Sequence, residues 1–270
     1  MTISEMSART MTEVCNPSSL AIGSFLVEYT AWLMGCGATC IRIEKNVGRI
    51  AASYGVRTEM TVMPRHIQLS VMDREDMECI TLNVAVKAVP IDFSLNTSLS
   101  ELSWRIADRH IPLEEAIDIF RKITVEATGR KGKYVPLLVA AANASFCRLF
   151  GGDSVAMAIV AAATLAGYML KNALLSRHVD VRVVFIACAF VSSVLGSTGL
   201  LFGLGGTSDV ALATSVLYLV PGIPLINSFS DMLYRHYLSA FCRFADAAIF
   251  TCCLSIGLCL GMLAMGVGMF

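Results

Sequence analysis

Charged residues are scarce in this sequence. Asp, Glu, Lys and Arg make up 16% of the 270 residues, hydrophobic residues make up 56%, and the mean hydropathy is +0.66. The shortage is uneven, because fifteen of the 21 basic and sixteen of the 21 acidic residues precede Tyr134. The second half therefore has the composition of a membrane domain. The formal net charge of zero provides no basic field, so nucleic acid is not an expected partner.

The motifs of catalytic and metal-binding proteins are also missing. We find no glycine-rich phosphate loop and no G-x-S-x-G element. The chain has ten cysteines, but they do not occur in pairs at the spacing of metal ligands. The four histidines are dispersed: His66, His110, His178 and His236. The sequence thus predicts no enzyme, no metal and no cofactor, and the cysteines are interpreted as small buried apolar side chains. The N-terminus lacks a basic segment followed by an apolar core, so no signal peptide is expected.

Residues 1–130 are predicted to form a cytoplasmic α+β domain, which begins with a long helix. Apolar residues recur at alternating steps of three and four from Ile22 to Tyr54. This spacing predicts one amphipathic helix that starts at Asn16 and stops before Gly55. A membrane span over residues 20–41 is the alternative, because that stretch contains a single charge.

A small sheet and two further helices are predicted to complete this domain. Three short runs are rich in β-branched residues and separated by polar residues, which predicts antiparallel strands in residues 59–64, 67–72 and 79–89. Apolar spacing with acids near one start predicts short helices over residues 98–110 and 112–127.

Residues 131–270 are predicted to form a bundle of five transmembrane helices. Five apolar stretches approach the length that crosses about 30 Å of hydrocarbon: residues 134–150, 154–174, 181–204, 209–232 and 237–269. The basic residues before Tyr134 and in the links 171–182 and 228–243 alternate with a link, 204–209, that carries only Asp209. By the positive-inside rule, this pattern places the N-terminal domain in the cytoplasm and the C-terminus outside.

The fourth stretch is interrupted by residues that break helices. Two prolines and a glycine should break it near its middle and free carbonyl oxygens in residues 218–221. Broken helices of this kind form binding sites in secondary transporters. The alternative is a proline kink that only shapes packing. The residues of interest are Pro221, Gly222 and Pro224, followed by the polar side chains of Asn227 and Asp231.

Charged residues elsewhere in the apolar half form two groups. Arg148 and Asp153 flank a turn and are expected to pair with each other at the outer surface. Arg243 and Asp246 are three residues apart at the start of the fifth stretch, where an unpaired charge is costly, so they are candidates for proton or substrate coupling. The glycines at both ends of residues 257–261 predict a helix contact. Weaker candidates for polar lining are Asn143 and Asn172.

Two segments together resemble the threonine/serine exporter family. The first, GATCIRIEKNVGRIAASYG, matches the motif of the family's N-terminal domain through Gly37, Ala38, Arg42, Ile43, Glu44 and Gly55. The second, VPGIPLINSFSDMLYRHYLSAFCRFADAAI, matches the membrane motif through Pro221, Gly222, Pro224, Asn227, Asp231, Arg243, Asp246 and Ala247. The resemblance covers most of the chain.

The resemblance implies a partner subunit. Full-length family members carry a second set of membrane helices, whereas this chain resembles the long subunit of the split type, in which a small membrane protein of the same family supplies that set. Split members are associated with the export of succinate as well as amino acids. An oligomer in the lipid bilayer is therefore expected.

The sequence is thus interpreted as an exporter subunit of the bacterial inner membrane, acting on small polar metabolites and driven by the proton gradient. The break at Pro221 would form the site, Asn227 would bind the substrate, and Asp231 or Asp246 would accept the proton. Arg243 would hold a substrate carboxylate or keep Asp246 ionised.

The sequence also allows an alternative function and an alternative role for two charged residues of the N-terminal domain. A membrane-anchored scaffold or sensor without transport activity is the alternative function, although an anchor needs only one span. In the N-terminal domain, Arg42 and Glu44 are two apart and cannot face each other along a helix. Each is expected to pair with a different neighbouring element, and a regulatory or gating role is the alternative.

Overall fold

The protein divides into two compact units. A computed structural model describes residues 19–63, 65–73, 79–87, 89–129, 132 and 134–267. The first unit contains Met1–Arg130 together with Asn227–Cys242, and the second contains Lys131–Ile226 together with Arg243–Phe270. The predicted boundary near residue 130 stays a prediction, and the structure adds a later segment to the N-terminal unit.

Four helices and three strands form the main part of the first unit. They are α1 (Ser19–Gly35), α2 (Cys40–Ser53), β1 (Val56–Val62), β2 (His66–Asp73), β3 (Cys79–Ala85), α3 (Phe93–Arg109) and α4 (Leu113–Gly129). The strands pair antiparallel in the order β1-β2-β3, with Met60 opposite Leu69 and Leu69 opposite Leu82. The predicted sheet and the two predicted helices are thereby confirmed.

The core of the first unit lies between the sheet and the helices. Alternate residues of β2 are fully buried, as expected of a strand with one face on a core: Ile67, Leu69 and Val71. In α1, the buried Tyr29 hydroxyl donates to the Leu99 carbonyl at 2.8 Å, which satisfies its polar atom. Burial also raises the pKa of Tyr29 far above its usual value, so the phenol stays neutral.

The prediction of one long helix from Asn16 to Gly55 is wrong. The chain turns sharply after α1, with Gly37 at φ +95°, where only glycine is comfortable. The Ala38 N–H donates to the Leu33 carbonyl at 3.1 Å and closes the end of α1. Apolar spacing continues through the turn because both helices bury a face in the same core. The predicted start at Asn16 lies outside the described residues.

The alternative of a membrane span over residues 20–41 is not supported either. Helix α1 ends at Gly35 after 17 residues. Its large apolar side chains, including Phe25, Leu26 and Leu33, belong to the core of the first unit.

The second unit is helical throughout the part that the structure describes. It contains α5 (Val135–Leu149), α6 (Ser154–Ser176), α7 (Val181–Gly196), the short α8 (Thr198–Phe202), α9 (Ser208–Ser215) and a 3₁₀ turn (Leu217–Leu219). Two more helices, α10 (Gly222–Leu233) and α11 (Tyr237–Ala264), contribute residues to both units.

Three or four segments could cross a membrane by length and composition. They are Ser154–Ser176, Val181–Phe202 and Tyr237–Ala264, with Ser208–Leu219 and Gly222–Leu233 as a fourth if that bent pair is one span. The apolar helix Val135–Leu149 is shorter. The observed architecture is therefore predominantly helical, with a small sheet and three or four apolar segments long enough for a membrane, and the count of five spans stays a prediction.

The fourth apolar stretch is broken where the prolines predict. Its two halves are bent by 62°. Pro221 has no N–H to donate, and tight turns form on both sides of it. The Val220 N–H donates to the Leu217 carbonyl at 3.1 Å, and the Gly222 N–H donates to the Val220 carbonyl at 2.8 Å. The Leu225 N–H donates to the Pro221 carbonyl at 3.3 Å. The prediction of free carbonyl oxygens is thus wrong for Val220 and Pro221, since both accept a hydrogen bond. The effect of the break is a bend.

The predicted pair between Arg148 and Asp153 is replaced by separate partners. An Arg148 Nη1 donor binds the Gly152 carbonyl at 3.1 Å. The carboxylate of Asp153 caps α6, because it accepts the N–H groups of Ala156 and Gly206, each at 2.7 Å. These backbone donors hold the pKa of Asp153 below its usual value.

Candidate functional site

Helix α10 has an unusual distribution of polar and apolar residues. Ser228 and Asp231 are buried, at 2% and 0% exposure, whereas Ile226, Phe229 and Leu233 are about 70% exposed or more. A helix in water has the reverse arrangement. The outward apolar face suits contact with lipid, and the polar face packs within the first unit.

The buried carboxylate of Asp231 caps helix α2. Its Oδ1 accepts the backbone N–H of Cys40 at 2.8 Å, and its Oδ2 accepts the Cys40 thiol at 3.4 Å. Thr39, the residue at the N-cap position, is extended and makes no capping bond with its own side chain. A carboxylate from α10 therefore fills the role that a local Ser, Thr or Asp usually plays, at the helix end where negative charge is favourable.

Asn227, one turn before Asp231, holds the other side of the same bend. Its Nδ2 donates to the Gly37 carbonyl at 2.8 Å. We refer to residues 36–40 as the α1–α2 corner. Within it, burial raises the pKa of the Cys36 thiol to about 12, with a further contribution from Asp92, so this thiol stays protonated. The two sequence motifs, about 190 residues apart, therefore meet at one place.

The charged residues of the N-terminal motif point to different elements. Arg42 Nη1 donates to Asn96 Oδ1 on α3 at 2.9 Å. Glu44 Oε2 lies 3.5 Å from His236 Nε2, beyond the end of α10. Gly55 follows α2 at φ +76°, where it allows the turn into β1. The motif thus joins α2 to both α3 and the 227–242 segment.

A polar cavity of about 570 Å³ lies beside the corner, and we call it the α2–α10 groove. Its lining comes from α2, α3 and α10: Thr39, Ile41, Arg42, Lys45, Asn46, Arg49, Thr97, Ser100, Trp104, Ser230 and Tyr234. The sequence interpretation missed this site. The signal was the spacing of Arg42, Lys45 and Arg49 at i, i+3 and i+7, which places three cations along one side of a helix.

The remaining predicted site residues lie in the second unit. Pro221 precedes α10, Gly222 and Pro224 lie in its first turn, and Arg243 and Asp246 lie on α11. Asp246 is exposed, whereas Arg243 is partly buried. The structure therefore brings Asn227 and Asp231 together with the N-terminal motif, and the roles predicted for Arg243 and Asp246 stay predictions.

Buried polar contacts also join helices of the second unit. Asn143 Nδ2 on α5 donates to Thr164 Oγ1 on α6 at 2.6 Å and to the Thr214 carbonyl on α9 at 3.1 Å. Ser192 on α7 and Tyr218 share a hydrogen bond of 3.1 Å. Such hydroxyls were not predicted from the sequence, because Ser and Thr carry little signal in an apolar helix. These hydrogen bonds join neighbouring helices inside a bundle that is otherwise apolar.

Comparison with known proteins matches these observations. A family model described as "Putative threonine/serine exporter" matches residues 24–265. The chain belongs to the threonine/serine exporter family. The resemblance inferred from the two motifs is thereby confirmed, and the family and the apolar helices together identify a membrane protein of an exporter family.

Two curated relatives are similar to the chain over nearly their whole length. A protein of Escherichia coli K12 named "Probable succinate transporter subunit YjjP" is 24% identical over 263 residues, which cover 96% of each chain. A protein of Klebsiella aerogenes with the same name is 26% identical over 252 residues, covering 92% of this chain and 95% of its own. No solved structure matches the chain.

Proposed function

We propose that this member of the exporter family is a subunit of a secondary exporter in the bacterial inner membrane. Its substrates would be small polar metabolites, either hydroxy amino acids of the threonine/serine type or dicarboxylates of the succinate type. The names of the family and of the relatives support this choice of substrates. The proton gradient would drive export, and a small membrane subunit of the same family would complete the pathway.

One observation carries the proposal. The bent fourth apolar segment leads directly into α10, whose Asn227 and Asp231 contact the α1–α2 corner within the first unit. A scaffold needs neither a bent span nor buried polar residues on the helix that follows it. Secondary transporters commonly have both, because broken helices form their binding sites and polar groups inside a membrane are kept for function.

Asp231 would couple proton binding to the position of α10. As a carboxylate it accepts both the N–H and the thiol of Cys40. A proton on Asp231 would remove the negative charge at the start of α2 and occupy an oxygen that now accepts a hydrogen bond. The contact between α10 and the corner would then weaken, and the bend at Pro221 would act as the hinge.

Asp246 would be the second coupling group. It is exposed on a helix that is long and apolar enough to span the membrane. A carboxylate in such a position requires a polar partner, and the small membrane subunit would supply that environment. Arg243, one turn earlier on α11, would bind a substrate carboxylate or keep Asp246 ionised.

The N-terminal unit would lie in the cytoplasm and the C-terminus outside, since basic residues concentrate in alternate links of the sequence. In this orientation the α1–α2 corner would act on the side from which substrate is exported. A cysteine-accessibility assay at exposed Cys79 of the first unit would test the orientation.

Efflux of labelled substrate tests the function. Cells that express this chain alone, or with the small subunit, are loaded with labelled succinate, threonine or serine, before and after the proton gradient is collapsed. We expect gradient-dependent efflux of one substrate class only when both subunits are present. Absence of efflux in every condition, with both subunits shown to be in the membrane, would contradict the exporter and favour the scaffold or sensor.

A further inference from the structure

The α2–α10 groove is a cationic cavity, and the described residues that line it include no carboxylate. Arg42, Lys45 and Arg49 line about 570 Å³ of space together with hydroxyl, amide and apolar side chains. Three positive charges along one side of a helix repel one another. An anion in the groove would remove this repulsion.

The least exposed of the three cations is held in a fixed position. The Arg49 guanidinium lies 3.6 Å from the centre of the Trp104 ring. Its Nη1 also donates to Asn46 Oδ1 at 2.9 Å and to Ser103 Oγ at 2.6 Å. These contacts order the side chain before any ligand arrives, which lowers the entropy lost on binding.

The other two cations remain accessible for a ligand. Both Arg42 and Lys45 are exposed residues. Arg42 uses Nη1 for the bond to Asn96, and a guanidinium has five N–H donors, so further donors can bind an anion. The two neighbouring acids have other contacts, because Glu44 lies near His236 and Asp231 binds Cys40.

We propose that the α2–α10 groove binds a small dianion of the dicarboxylate class. Arg42 and Lys45 pair with its carboxylates, Arg49 supplies a fixed positive field, and Ile41 and Trp104 contact its methylene groups. A guanidinium fork matches a carboxylate in geometry, and the apolar lining distinguishes a carbon chain from inorganic phosphate.

Such a ligand would also bridge two helices of the first unit. Ser230 on α10 and Tyr234 just beyond its end line the groove on one side, whereas the cations line it from α2. A bound dicarboxylate therefore stabilises the same arrangement that the Asp231 cap stabilises. The choice of a dicarboxylate rests on the proposed function, whereas the existence of an anion site rests on the groove alone.

Tryptophan fluorescence provides the test, because the chain has only two tryptophans, Trp32 and Trp104. The full-length protein, purified in detergent and carrying Trp32→Phe, reports on Trp104 in the groove. It is titrated with succinate, propionate and inorganic phosphate at constant ionic strength. We expect a saturable change with succinate, at least roughly tenfold weaker binding of propionate and phosphate, and weaker succinate binding at high salt.

Two lysine variants make the test specific. Lys45→Gln removes one charge at an exposed position, so it should leave folding intact and weaken succinate binding about tenfold. Lys122→Gln, at an exposed lysine of α4 outside the groove, should leave the affinity unchanged. Circular dichroism and size-exclusion profiles that match the parent protein confirm folding of both variants.

Several results would overturn the inference. They are no saturable signal with succinate, equal affinity in Lys45→Gln and the parent, or phosphate binding as tight as succinate. The outcome is separable from the proposed function, because binding in detergent does not depend on transport. Binding without efflux would keep the site and contradict the exporter, and efflux without binding would do the reverse.

Discussion

Asp231 Oδ1 accepts the backbone N–H of Cys40 at 2.8 Å, across 191 residues of sequence. Both residues are fully buried, and the bond falls at the first residue of helix α2. A side chain of α10, the helix that follows the bend at Pro221, thus caps the N-terminal end of α2 in the first unit. Any displacement of α10 away from the corner must break this bond.

Removal of the Asp231 carboxylate should destabilise the start of α2. Asp231→Ala leaves the buried Cys40 N–H without this acceptor, which costs about 1–3 kcal/mol. Asp231→Asn keeps an acceptor oxygen for the Cys40 N–H but loses the charge and the oxygen that accepts the thiol, so a smaller cost is expected, about 0.3–1 kcal/mol of it from the charge. Hydrogen exchange of the Cys40 amide should accelerate in the order parent, Asn, Ala. Asp108→Ala, at an exposed position, is the control, and equal exchange in all four proteins would show that the cap contributes nothing.

Neutralising either Asp231 or Asp246 alone should abolish gradient-driven efflux, and the reason differs between the two residues. Asp231→Asn loses the proton site and weakens the corner, whereas Asp246→Asn alters an exposed carboxylate that the fold does not need. Only the first variant should therefore also change the exchange of the Cys40 amide. Efflux is measured at matched membrane levels of both subunits, with Asp108→Asn as the control. Full activity in both variants would refute the proton role.

Local patterns in the sequence sufficed for the sheet and for helices α3 and α4. Runs of β-branched residues separated by polar turns define β1, β2 and β3, and apolar spacing with acids in the first turn defines α4. The break at Pro221 follows from proline chemistry alone. In each case the determining residues are neighbours in the chain.

The sequence did not reveal features that depend on distant residues. The corner at Gly37 was missed because α1 and α2 face the same core, so their apolar spacing continues across the turn. The contact between Asp231 and Cys40 joins positions with no shared pattern. Arg42, Lys45 and Arg49 look like an ordinary solvated face until α3 and α10 enclose them.

The corner should depend on glycine at position 37. Its φ of +95° disfavours any side chain, and a Cβ there would meet Ile91 Cγ2 at 3.0 Å. Gly37→Ala should therefore destabilise the first unit by about 1–2 kcal/mol. Gly48→Ala is the matched control, because Gly48 lies inside α2 and a Cβ added there would have no described neighbour within 4 Å. It should stabilise by up to about 1 kcal/mol.

Thermal unfolding of the purified protein should separate these two glycines. The midpoint should fall for Gly37→Ala and rise or stay constant for Gly48→Ala. Asn227 reaches the same bend through the Gly37 carbonyl, so Gly37→Ala should also reduce efflux. A midpoint for Gly37→Ala at or above that of the parent would contradict the strained corner.

The contact between α7 and α11 should require glycine at position 261. A Cβ at this position would lie 2.6 Å from Ser193 Cβ and 2.9 Å from the Phe190 carbonyl, both closer than packed atoms allow. Ser193 Oγ also donates to the Leu258 carbonyl at 3.0 Å, so the two helices are already joined at this level. Gly261→Ala must push them apart and should destabilise the second unit by about 1–3 kcal/mol.

Ser255→Ala is the control for this helix, because Ser255 is exposed on α11 and its replacement leaves the contact with α7 intact. Thermal unfolding in detergent should show a lower midpoint for Gly261→Ala and no change for Ser255→Ala. Gly261→Leu should lower it further, since the added volume grows while the space does not. Equal midpoints for all three variants would mean that α7 and α11 do not pack through Gly261, and the small-residue motif would then have no structural role.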